Sequence, residues 1–438
     1  MDSQHREETA PLVAEDEELG LPSEVKPIKK HARDVHVLCV AFLFIFSAYQ
    51  GAQNLESSVN TEGDLGTTSL GILYVSFTLC SLVASPIVRG MGSKGALLLG
   101  TTGYILFIAS NLKPSWYTMV PASLYLGFAA SIIWVGQGTY LTSAARSHAK
   151  DCHLHEGTII GHFNGEFWGM FASTQVIGNL ISLALLTNGK EGGSVTGTGL
   201  LFTVFLACMV LGMILMCFLS TREDKEEGLP TQPSFGSLLN SIIAPYMEIR
   251  LLLIIPLIAY SGLQQAFVWA EFTKHVVTPA LGVSGVGGAM ALYGAADVAC
   301  SLVAGRLTSG ISSITFIVSG GAILQTLVLL WLLFGYSVTT GTIGSVSALL
   351  MIAIWGVGDG VFNTQLNALV GILFKHETES AFAQMKVWQS ASIALICFLS
   401  PCISFQAMLI LFVIALFIAV TGFLYLAIRV EKTFFHGR

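Results

Sequence analysis

Residues 221–234 read TREDKEEGLPTQPS. The run is densely charged at its start, then rich in Pro, Gly and Ser, which is the composition of a linker. On both sides of it the chain turns apolar and stays so. Of 438 residues, 53% are hydrophobic and only 11% charged, and the mean hydropathy is +0.71. A soluble domain carries about a quarter charged residues. The 48 charges are also clustered, with fourteen in residues 1–34 and eight in 221–250. What is left cannot build a soluble surface, so the chain reads as a polytopic, all-α integral membrane protein. A secreted disulfide scaffold, a nucleic-acid binder and a disordered protein are excluded. The eight cysteines agree: seven sit in or beside apolar runs, only Cys152 lies in a polar loop, and no CxxC occurs.

A bilayer core of about 30 Å takes about 20 apolar residues per helix. By that measure twelve spans are expected, at 35–55, 67–88, 95–112, 117–143, 158–186, 198–220, 250–273, 283–305, 312–335, 342–373, 380–400 and 403–428. Lys and Arg set the orientation. With both termini in the cytosol, seventeen of the 21 fall on the cytosolic side, Lys113, Lys190 and Lys274 fall outside, and Lys386 lies within a span. The expected organisation is a cytosolic tail (1–34), a six-helix bundle (35–220), the linker (221–249), a second six-helix bundle (250–430) and a short cytosolic tail (431–438).

The two bundles resemble each other. CSLVAS (80–85) matches CSLVAG (300–305), and VGQG (135–138) matches VGDG (357–360). AYQGAQ (48–53) matches AYSGLQ (259–264), and NGEFW (164–168) matches QMKVW (384–388). Four matches in one order at offsets of 211–222 residues describe two pseudo-symmetric six-helix halves in the same orientation. That is the major facilitator fold. Its best-known signature lies between spans two and three, here Arg89-Gly-Met-Gly92-Ser-Lys94. The glycine turn and two cations are kept, but the usual acidic residue is missing. The counterpart in the second half carries Arg306.

The block from Asn54 onward, NLESSVNTEGDLGTTSLGILYVSF, with LVASPIVRGMGSKGALLLGTTGY, YLGFAASIIWVGQGTYLT (125–142) and HFNGEFWGMF (162–171), resembles the Unc-93-like family, and most of all its compact plant-type members. The likeness is close over about residues 50–180 and looser beyond. It implies a major facilitator fold and a non-enzymatic role as a regulatory or accessory subunit for an ion channel, potassium channels in particular, or for another polytopic protein. The alternative, carried by the fold and the intramembrane charges, is an ion-coupled secondary transporter of a small solute or cation. The expected partners are those, together with membrane lipid. No P-loop, HExxH, EF-hand or CxxC motif is present, so no enzyme, cofactor or metal is expected. The plasma membrane or a vacuolar or other endomembrane is the expected residence; Glu8-Thr-Ala-Pro-Leu12-Val13 resembles an acidic dileucine-type sorting signal.

An ionisable group at bilayer depth costs about 2.5–3.5 kcal/mol on insertion scales, so each is a functional candidate. Glu166 and Lys386 occupy matching positions of the repeat and are expected to face a central cavity, paired or bridged by water; each could instead be satisfied within its own half. His162 shares a helix face with Glu166. Asp359, Asn363 and Asn367 form a stripe at four-residue spacing, as do Gln50 and Asn54 with Gln53 beside them. Since spans one, four, seven and ten line the cavity in this fold, Gln50, Gln53, Asn54, Gln137, Tyr140, Gln264, Gln265, Asp359 and Asn363 are expected around it, or else in interhelical hydrogen bonds. Asp297, in the small-residue run ALYGAADVACS, is expected to make a structural or gating contact with span five. Arg89, Gly92, Lys94 and Arg306 mark the cytosolic gating loops. His148, Cys152, His153, His155 and Glu156 crowd one loop at no standard zinc spacing, which reads as a solvated loop.

Overall fold

In hydrocarbon every backbone amide must be satisfied internally, and an apolar chain does this by coiling into helices. The computed structural model describes residues 28–59, 65–186, 198–222, 248–281, 286–335, 342–399 and 402–436, and among them there is no strand. The first half comprises α1 (Ile28–Val59), the stretch Leu65–Ser110, α4 (Trp116–Asp151), α5 (Glu156–Leu186) and α6 (Thr198–Cys217). Leu65–Ser110 breaks at Gly92, whose φ of 76° suits glycine alone, into α2 (65–91) and α3 (93–110). The second half comprises α7 (249–281), α8 (Val286–Leu307), α9 (311–335), α10 (Thr342–Leu373), α11 (Thr378–Leu399) and α12 (Phe405–His436). Helix α7 widens into π-helical geometry over Phe267–Val277, and α9 does so over Trp331–Gly335.

The twelve helices correspond to the twelve spans read from the sequence. Nine helical stretches among the described residues are long and apolar enough to cross a membrane on their own terms, with the α2–α3 stretch counted once. Helices α5 and α11, which carry Glu166 and Asn164 on one and Lys386, Gln384 and Gln389 on the other, are not among the nine. Leu79, Phe218, Phe316, Phe334, Ile343 and Phe417 are exposed on the outer surface, as lipid-facing side chains are.

Packing repeats between the halves. Helix α1 lies against α5 and α6, as α7 lies against α11 and α12; α4 packs on α2 and α3, as α10 packs on α8 and α9. The halves meet along two seams, α5 against α8 and α2 against α11. The first seam is backbone on backbone. A Cβ at Gly305 would stand 2.4 Å from the Gly165 Cα and 2.7 Å from the Gly161 carbonyl oxygen, so only glycine permits this crossing.

Two boundaries differ from the sequence reading. Helix α1 begins at Ile28 rather than 35, because the basic KKHAR run is helix-forming and its His31 and the following Asp34 find partners, Asp151 at 3.0 Å and Arg222 at 3.2 Å. Helix α12 runs on to His436, past the expected end of the bundle at 430. The acidic tail, the sorting-type motif and nearly all of the linker lie outside the described residues.

Candidate functional site

A cavity of about 120 Å³ lies between the halves. From the first half it is lined by Phe46, Tyr49, Gln50 and Gln53 of α1, Trp134 of α4, and Trp168, Phe171, Ala172 and Gln175 of α5. From the second half come Gln265 and Trp269 of α7, Tyr293 and Asp297 of α8, Asp359 and Asn363 of α10, and Lys386, Gln389, Ser390 and Ile393 of α11. The first wall is aromatic; the second holds the charges.

Lys386 is 4% exposed. Its Nζ donates to Gln389 Oε1 at 2.9 Å and lies 4.8 Å from the centroid of the Trp134 ring and 5.8 Å from that of Trp168. The two indoles are parallel to within 7°, with centroids 5.9 Å apart, so the ammonium rests on aromatic faces. It forms no ion pair among the described residues.

Asp359 is buried differently. Its Oδ1 accepts from Gln264 Nε2 at 2.8 Å and from Asn363 Nδ2 at 2.9 Å, and the Tyr293 hydroxyl donates to Oδ2. Behind it, Gln325 of α9 donates to Gln264 and accepts from the Tyr260 hydroxyl at 2.6 Å, while Gln265 donates to Asn363 at 3.1 Å. Three helices thus hold one carboxylate, and a fourth, α9, backs the Gln264 donor. Asp297 accepts from Ser301 at 2.9 Å, and its backbone carbonyl abuts Gly360 of α10, so it lies between α8 and α10 rather than against α5.

Glu166 is elsewhere. Its carboxylate pairs with His36 of α1, whose side chain is 62% exposed. The helix faces explain why it does not meet Lys386. The cavity face of α5 is Trp168, Phe171, Ala172 and Gln175; that of α11 is Lys386, Gln389, Ser390 and Ile393. Each pair is offset by 218 residues, whereas the NGEFW–QMKVW match has an offset of 220. Two residues are about 200° of rotation on an α-helix, enough to turn Glu166 to the opposite side. The structural counterpart of Lys386 is Trp168, the residue it stacks on.

The other expected residues divide. Gln50, Gln53, Gln265, Asp359 and Asn363 line the cavity, and Gln53 donates to the Tyr74 hydroxyl at 2.9 Å. Gln264 stands behind Asp359. His162 is exposed. Gln137 is fully buried away from the cavity lining, with neither amide atom hydrogen-bonded among the described residues. Tyr140 donates to Asp34 at 3.4 Å and to the Ser220 carbonyl at 3.1 Å, under the Arg222 guanidinium. The side chain of Asn54 lies outside the described residues.

The end of the bundle at which α1 begins is sealed. Arg146 at the end of α4 donates to the carbonyls of Gly371 at 2.7 Å and Lys375 at 3.1 Å, to Thr378 Oγ1 at 3.3 Å, and to Glu156 Oε1 at 3.3 Å. Lys375 Nζ reaches Glu156 at 2.6 Å. Arg89 approaches Glu379 to 3.9 Å across the other seam, and Ser85 meets Ser380 at 3.0 Å. Lys94 donates to the carbonyl of Cys217 at 2.9 Å, within its own half. Arg306 is exposed and makes no ion pair among the described residues. No group of three or more His, Cys, Asp or Glu among the described residues is placed to hold a metal ion.

Sequence reasoning missed Trp134, Tyr293 and Arg146. Trp134 stands one turn before Gln137 in IIWVGQG, a position that a helical projection of that motif would have reached. Arg146 has one local partner, Glu156, but its partners across the seam lie more than 220 residues away.

Residues 58–424 match the family model described as ion channel regulatory protein UNC-93. The chain is 63% identical over 421 residues to the UNC93-like protein 3 of Arabidopsis thaliana, covering 94% of this chain and 89% of that one. It is 32% identical over 391 residues to the human protein unc-93 homolog A, covering 82% of this chain and 85% of that one. It is 30% identical over 434 residues to the putative potassium channel regulatory protein unc-93 of Caenorhabditis elegans, covering 90% of this chain and 61% of that one. Among solved structures, the human organic anion transporter MFSD10 superposes with a TM-score of 0.69 at 12% identity, covering 90% of this chain and 99% of that one. The fucose:proton symporter of Escherichia coli gives 0.68 at 10% identity, covering 91% of this chain and 99% of that one. Likeness at that identity speaks for the fold.

Proposed function

The chain belongs to the UNC-93 family, and from that premise we propose that it works as a non-enzymatic accessory subunit of another membrane protein, an ion channel of the potassium class foremost. The observation that carries this reading is the family match over residues 58–424, which runs from the end of α1 into α12 and so takes in most of both halves. The lipid-facing apolar surface offers the area on which a second polytopic protein would pack. Seventeen of the 21 Lys and Arg support a placement with both termini in the cytosol, the halves 35–220 and 250–430 joined there by 221–249, in the plasma membrane or a vacuolar membrane. Purification of the tagged chain from its native membrane in mild detergent tests the proposal. A channel is expected to come with it in stoichiometric amount; a folded chain recovered alone would overturn it.

A second reading has its own observation. Lys386, Asp297 and Asp359 line one cavity between halves that are sealed at the Arg146 end, which is the layout of a secondary transporter. Cation- or proton-driven uptake into proteoliposomes, lost in Asp359→Asn and kept in Glu166→Gln, would favour transport over regulation.

A further inference from the structure

The cavity's two kinds of charge differ in how they are satisfied, and the difference indicates what the cavity takes. Asp359 is complete without a ligand, since three donors from α7, α8 and α10 engage its oxygens. Lys386 is not. An ammonium has three N–H donors, and a single acceptor, Gln389 Oε1, is hydrogen-bonded to it among the described residues. The indole faces of Trp134 and Trp168 offset part of the desolvation but accept no conventional hydrogen bond. A buried cation without a counter-charge is costly, and an anion brought beside it offsets that cost.

The surroundings favour an acceptor as well. The Trp168 Nε1–H is buried and without a partner among the described residues. Gln50 and Gln175 line the same space, and neither amide is hydrogen-bonded to another side chain among the described residues. Phe46, Phe171 and Tyr104 complete an apolar wall beside them. Lys386 is the one Lys or Arg among the described lining residues, so the cavity offers a single cationic group.

We propose that the cavity binds a small organic monocarboxylate, with its acid group seated on Lys386 and its carbon body against the indoles of Trp134 and Trp168. This site is separate from any channel partnership and needs no transport to be detected, so it stands or falls apart from the readings above.

The test is calorimetric binding to the purified full chain, using acetate, butyrate and benzoate, each against its own amide, with benzylamine and chloride as further probes. At least one carboxylate is expected to bind at least tenfold tighter than its amide. That preference is expected to disappear in Lys386→Gln, to persist in part in Lys386→Arg, and to be unchanged in Glu166→Gln, whose side chain lies off the cavity. The acid-to-amide ratio is internal to each variant, and the wild-type ratio decides even if Lys386→Gln fails to fold. The proposal is overturned if no carboxylate outbinds its amide, if the preference survives Lys386→Gln, if benzylamine binds in place of the acids, or if chloride alone binds.

Discussion

Arg146 is the side chain whose removal should most directly unseal the molecule. Three of its hydrogen bonds cross from the first half to the second, ending on the carbonyls of Gly371 and Lys375 and on Thr378 Oγ1. A hydrogen bond to a charged group contributes about 1.5–3 kcal/mol. The side chain is 25% exposed, and solvent screening removes roughly half of that. The two bonds to carbonyls, at 2.7 and 3.1 Å, then contribute about 1.5–3 kcal/mol together to the sealed arrangement. Arg146→Ala should raise the population open at that end by about 10- to 100-fold. Ser380, buried against Ser85 on the second seam, reports such opening. In a background lacking the eight native cysteines, Ser380→Cys should react with a maleimide faster by that factor when Arg146→Ala is added. Arg146→Lys should fall between, because a single ammonium cannot fork onto two carbonyls. An unchanged labelling rate in a chain that still elutes as one folded species would refute the assignment of the seal to Arg146.

Gly305→Ala should prevent stable folding or lower the melting midpoint sharply, because the new Cβ meets the backbone of Gly165 and Gly161; Gly90→Ala, with nothing within 4 Å, is the matched control, and equal melting of the two would contradict the close crossing. Arg222→Met should destabilise by about 1.5–3 kcal/mol, since it removes the 3.2 Å partner of Asp34, whose side chain is 1% exposed, and leaves the 3.4 Å contacts from Arg33 and Tyr140, while Arg222→Met with Asp34→Leu should recover most of the loss in a thermal melt. Tyr293→Phe removes one of three donors to Asp359 and should cost about 1.5–3 kcal/mol of stability; a melt indistinguishable from wild type would show that the carboxylate does not depend on that hydroxyl.

The wall that the second half gives to the cavity shows why parts of the site could be read early and parts could not. Asp359, Asn363 and Gln265 were legible because their type and spacing are anomalous in an apolar helix, and hydrocarbon penalises any polar group without a role or a partner. Gln264 was legible as polar, but not as the residue standing behind Asp359, since adjacent residues on a helix point about 100° apart and only packing decides which one reaches the cavity. Glu166 shows the limit most clearly. Its alignment with Lys386 rests on the Trp that follows two residues later in both motifs, and an error of two residues is invisible in a motif match yet reverses the helix face. Arg146 looked like one more cytosolic cation; its two shortest bonds are to backbone carbonyls of the other half, which no side-chain pattern announces.

Hydropathy and length determined that this chain spans a bilayer and how many times, because the hydrocarbon core imposes a length and a polarity on every crossing regardless of what packs against it, and four matched motifs showed that it is doubled. Which charges share a cavity, which are closed off in pairs such as Glu166 with His36, and which end of the bundle is sealed were decided only by the tertiary structure. Those outcomes depend on helix rotation and on contacts between residues hundreds of positions apart, and neither quantity is encoded in the local spacing of side chains.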